Sequence, residues 1–83
     1  MTKLEIKTER EALENKFITQ VEQLSKWQSI FRNDAAIYAK NPTDDNKAMM
    51  EVSATHVRLN YKWADEAMHK LNLHYAKYGL PLD

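Results

Sequence analysis

Apolar residues recur every three or four positions along most of this chain. The first series runs through Leu13, Phe17, Val21, Leu24, Trp27, Phe31, Ala35 and Tyr38. That spacing lays one stripe down one face of an α-helix. Ile30 and Ile37 lie off the stripe, and Glu14, Lys16, Glu22, Lys26 and Arg32 occupy the opposite, solvated face. Glu22 and Lys26 stand at i,i+4 in the favourable order, a pairing that contributes roughly 0.2–0.5 kcal/mol. A second series, Met50, Ala54, Val57, Tyr61, Ala64, Met68, Leu71, Tyr75 and Tyr78, alternates by four and three without a break and reads as a heptad seam. Beside it runs another stripe, including Met49, Val52, Leu59, Trp63 and Ala67, with His56 and His74 on the same side.

Two breaks punctuate these series. Asn41-Pro42-Thr43-Asp44-Asp45 both stops and starts a helix, since proline disfavours helical geometry at the residue before it. Asn41 is a candidate N-cap, Pro42 fits the first helical position, and Asp44 and Asp45 suit the positive end of the helix dipole. Tyr78-Gly79-Leu80-Pro81 is the second break. Gly79 can take a left-handed cap, Leu80 can fold back on Tyr75, and Pro81 blocks continuation. At the start, Thr2-Lys3-Leu4-Glu5 and Thr8-Glu9-Arg10-Glu11 both fit a capping box, and the reading places the helix from about Thr8, with residues 1–7 frayed. The expected fold is therefore all-α: one domain over residues 1–83, an antiparallel two-helix hairpin with helices at about 8–40 and 43–78, and a short tail at 80–83. A short link between long helices makes them antiparallel neighbours.

The two stripes of the second helix together cover over half of its circumference, and one neighbouring helix covers only one stripe. Apolar surface left over in this amount marks an interface. The expectation is a hairpin completed to a helical bundle by self-association, with Met50, Val57, Tyr61, Ala64, Met68, Leu71, Tyr75 and Trp63 as its interface residues. Size and composition support this. A chain of 83 residues without cysteine has no disulfide to supplement its core, and at this length one core rarely supplies more than about 3–5 kcal/mol. Lys+Arg and Asp+Glu both total 12, so no net charge opposes association. The charged stretch Met1 to Lys7 lacks the apolar segment of a secretory signal, and no apolar run approaches the length of a membrane span. Cytoplasmic location with no membrane contact is the expectation.

Chemistry is sparse. Glu66-Ala67-Met68-His69 places a carboxylate and an imidazole one turn apart, the spacing found in carboxylate-bridged metal sites of four-helix bundles. Both residues lie toward the polar edge, however, and Glu66 is placed to pair with Lys70. Glu66 and His69 are thus weak metal candidates, and no metal or cofactor is expected. Histidines on an apolar side, such as His56 and His74, are more often hydrogen-bonded core or interface residues than ligands. Ser25, Ser29 and Ser53 have neither a glycine elbow nor a base at helical spacing, and the single glycine cannot form a phosphate-binding loop. No catalytic residue is assigned.

Arg58, Lys62, Lys70 and Lys77 give the second helix some cationic character, but Glu51, Asp65 and Glu66 interrupt it, so nucleic acid is an unlikely partner on electrostatic grounds. The functional expectation is a non-enzymatic protein-interaction module that self-associates through its second helix and has a further protein partner. By analogy with other small helical proteins, many of them encoded by phages and mobile elements, such a module acts as an inhibitor, adaptor or assembly factor. The alternatives are a nucleic-acid-associated regulator and a metal-binding four-helix assembly.

Overall fold

A computed structural model describes residues 1–80. It contains helix α1, Lys3–Lys40, and helix α2, Asp44–Tyr78, folded back to back. The molecule measures 58 × 18 × 14 Å. No strand occurs among the described residues, so the chain is an all-α helical hairpin. Of the expected tail at 80–83, residues 81–83 lie outside the described residues.

The start of α1 corrects the sequence reading, and its end at Lys40 agrees with it. The helix begins at Lys3 rather than Thr8, because the capping box forms at the earlier of the two candidate sites. Thr2 Oγ1 accepts from the Glu5 backbone N–H at 3.1 Å, and Glu5 Oε1 accepts from the Thr2 N–H at 3.3 Å. Thr8 is left inside the helix, where its hydroxyl donates to the Leu4 carbonyl. At the turn, the cap of α2 is Thr43, whose Oγ1 accepts from the Asn46 N–H, and Pro42 stays in the connection. Asn41 instead closes α1, and its carbonyl accepts from both the Thr43 N–H and the Asn46 side chain, each at 2.8 Å. Asp44 and Asp45 fall in the first turn of α2, as their charge favours. Gly79 ends α2 with φ +85°, and its N–H reaches the Tyr75 carbonyl at 2.7 Å. Leu80 remains exposed and does not fold back.

Register follows from two cross-helix pairs. Glu9 meets His74 near the open end, and Trp27 stacks on His56 midway along. The residue numbers of both pairs add to the same total, so the helices run antiparallel without slippage.

The buried line of α2 falls between the two stripes read from the sequence. It follows Ser53, Asn60, Ala64, Ala67, Leu71 and His74. Tyr61, by contrast, stays 60% exposed. On α1 the buried position is Asp34 rather than the neighbouring Ala35, and Gln20 is more covered than Val21. Size explains much of this. Alanine and serine on α2 let the backbones approach and leave room for the half-buried Phe17, Trp27 and Phe31 of α1. The polar members of the line satisfy themselves locally. Ser53 Oγ donates to the Met50 carbonyl at 3.0 Å, and Asn60 Nδ2 donates to the His56 carbonyl at 2.8 Å. A buried polar group that back-bonds to its own helix escapes most of the desolvation penalty.

The close approach makes the small residues irreplaceable. Ala67 is only 4% exposed. Ala67→Leu is expected to overpack the seam and destabilise the hairpin by about 1–3 kcal/mol, measured as a lower midpoint in urea unfolding followed by helicity.

Candidate interaction surface

The expected interface residues separate into two groups. Ala64 and Leu71 are buried within the hairpin, against α1, and are not accessible to another chain. Met50, Val57 and Tyr75 are half-buried along its edges. Tyr61, Met68 and Trp63 are exposed, but not together. Tyr61 and Met68 occupy one flank of α2, and Trp63 lies on the other, as the helical spacing requires.

The Trp63 flank is the more developed. Along it, α2 presents Met49, Val52, Leu59 and Trp63, and α1 presents Trp27, Ile30 and Ile37. Met49 is 56% and Val52 57% exposed. Between the helices, near the turn, Trp27, Ile30, Met49 and Val52 line a groove of about 320 Å³ together with Asp34, Ala48 and Ser53. The groove continues toward the turn past Ile37 and Asn46. The indole of Trp27 is held in place by a parallel stack on the His56 ring, with centroids 3.9 Å apart and planes inclined by 10°.

Asp34 is the one acidic side chain of the described residues that is buried, at 9% exposure. It makes no hydrogen bond or ion pair with any described residue. Sequence reasoning overlooked it, because an aspartate beside Ala35 reads as the polar edge of an apolar stripe. The one available signal was its phase: Trp27, Phe31, Asp34 and Tyr38 are spaced by four, three and four, as a buried heptad line requires.

Further along the same flank, Lys16, Gln20, Trp63, Glu66, Ala67 and Lys70 line a second groove of about 380 Å³. Gln20 Oε1 is buried there without a partner. The expected Glu22–Lys26 and Glu66–Lys70 pairs do not form; among the described residues the acidic partners that are engaged are Glu9, Glu11 and Glu14. Glu66 and His69 are exposed on the outer side of α2, around a shallow depression with Asp65, Met68 and Asn72. No set of three metal-ligating side chains gathers there or elsewhere among the described residues.

At the open end, His74 is a core residue. Its side chain is nearly inaccessible, and Nδ1 lies 3.1 Å from Glu9 Oε1. Its ring packs against Tyr78, whose hydroxyl donates to Met1 Sδ at 3.2 Å and ties the start of α1 to the end of α2. Lys77 is held above the ordinary lysine range, chiefly by the neighbouring Tyr78 side chain, whose ring centroid lies 5.1 Å from its Nζ. These are structural contacts between the helix ends.

Among the described residues no helix is long and apolar enough to cross a membrane. No family model matches this chain, and neither a curated protein nor a solved structure is significantly similar to it.

The Glu9–His74 contact is the main polar tie between the helices. Glu9→Ala is expected to cost about 1–3 kcal/mol, because it strips a buried nitrogen of its partner. Glu9→Gln, which can still hydrogen-bond, is expected to cost less. The order of the two urea midpoints checks this.

Proposed function

We propose that this hairpin is a non-enzymatic protein-interaction module that self-associates through α2 and works as part of a helical assembly, as an adaptor, inhibitor or assembly factor. The observation that carries the reading is the imbalance between its interior and its surface. Only Ala64, Ala67 and Leu71 form a fully buried apolar core, whereas thirteen large hydrophobic side chains among the described residues are exposed.

Total area expresses the same imbalance. The chain exposes 6349 Å², against about 5,200 Å² for a compact monomer of its mass. The excess, roughly 1,100 Å², exceeds the approximately 800 Å² that each partner contributes to a standard stable interface. The grooves are shallow and lie along the helix edges, which supports binding over catalysis.

Light scattering is expected to give a mass of at least two chains at micromolar concentration. A monodisperse single chain under those conditions overturns self-association.

A further inference from the structure

We propose that the Tyr61 flank is a two-fold docking face for a second copy of this chain, in which α2 packs antiparallel on its mate and Arg58 of each copy meets Asp65 of the other. The inference rests on the self-association reading above and deepens it by naming the face, the register and the charge contact.

The face is centred on Tyr61, which is 60% exposed, with Ile18, Val21 and Met68 exposed beside it. Val57 borders them, half-buried. Val21 and Tyr61 stand nearly level across the hairpin, in the register fixed by Glu9–His74 and Trp27–His56.

The charges that frame this patch select a second copy as its occupant. On α2, Arg58 precedes Tyr61 by three residues and Asp65 follows it by four, so both border it on one helix face. Both are exposed, and neither is in an ion pair among the described residues; Arg58 donates to the Thr55 hydroxyl. A two-fold axis between Tyr61 and Lys62 turns a second α2 end for end. Each Arg58 then comes level with Asp65 of the other copy, and the contact forms twice.

Helix α1 repeats the relation independently. Glu14 lies seven residues before Val21 and Arg32 eleven after it. Both intervals are whole turns to within about 20°, so the three side chains share the flank. Arg32 is exposed and in no ion pair among the described residues, and Glu14 Oε1 meets Arg10 of its own helix at 3.3 Å. A carboxylate so engaged still accepts further donors. The midpoint of Glu14 and Arg32 is Gln23, which the hairpin register sets opposite Asn60. The axes read from α1 and from α2 therefore differ by about 2 Å of helix rise, and one axis serves both.

The remaining side chains suit the same register. Ala54 comes level with Met68, a small residue against a large one, and the two Tyr61 side chains meet near the axis, where interface anchors concentrate. Lys47 comes level with Tyr75 and Ala76, and Arg10 with Ala36, so neither cation faces another.

The test is the dimer dissociation constant, from sedimentation equilibrium, for the full chain and for four single variants at exposed positions, each checked for unchanged helicity. Tyr61→Asp is expected to weaken the dimer by about a hundredfold, because it buries an unpaired charge at the axis. Met68→Glu stands in for it should that chain lose helicity. Val52→Glu, on the Trp63 flank, is expected to leave the dimer unchanged. Arg58→Glu sets acid against acid and Asp65→Arg sets cation against cation, so each is expected to weaken its homodimer by about tenfold. Mixed together, those two chains are expected to form a heterodimer at least about tenfold tighter than either homodimer, since every facing pair is then of opposite sign.

A dimer indifferent to Tyr61→Asp, or weakened as much by Val52→Glu, overturns the face while self-association stands. A dimer weakened by Tyr61→Asp alone, whose two charge-reversed chains show no preference for each other, overturns the register and the Arg58–Asp65 contact. A wild-type chain that sediments as a monomer overturns the self-association reading itself, and this inference with it.

Discussion

Two helices hide from water only the strip along which they touch. In this hairpin that strip is narrow, and everything else in the structure answers to it. Small side chains on α2, above all Ala64 and Ala67, let the backbones come together and leave the larger rings of α1 to fill the space beside them. Because the closest line is occupied by alanine, serine and asparagine, it removes little apolar area from water. The tight seam sets geometry well and contributes modest hydrophobic stabilisation, since that term scales with the apolar area buried.

The polar residues of the seam are tolerable for different reasons. Ser53 and Asn60 bond back to carbonyls of their own helix and need nothing from α1. His74 Nδ1 is answered across the hairpin by Glu9, while its Nε2 is buried without a partner among the described residues. Asp34 makes no hydrogen bond or ion pair with any described residue, and its carboxylate oxygens keep contact with water. It sits beside the exposed apolar flank of Met49, Val52 and Trp63.

Much of the fold was legible from residue order alone. The periodicity of three and four, the single interruption at Asn41-Pro42 and the scarcity of glycine leave little besides two long helices and one tight turn. The misplacements were local competitions. Thr2 and Thr8 both offer a capping box, and the earlier one prevails because Lys3 to Lys7 can extend the helix with nothing to interrupt it. Asn41 and Thr43 both offer a cap to α2, and Thr43 takes it because the turn uses Asn41 and Pro42 to reverse direction. The candidate surface was less legible. A stripe of apolar residues shows that a helix has a buried side, but residues one position apart compete for its centre. At 54 against 53, 61 against 60 and 68 against 67, hydrophobicity alone favours the first of each pair, and packing selects the second.

The sequence by itself determined that α2 carries more apolar circumference than one neighbour can cover, because that excess is a property of composition and spacing within a single helix. Only the tertiary structure decided which part is covered. The rotation of each helix about its axis is set by how closely two backbones can approach, and that depends on side-chain volume on both helices at once. Rotation placed Ala64 and Leu71 inside, separated Trp63 from Tyr61 and Met68, and set Asp34 into the wall of an apolar groove.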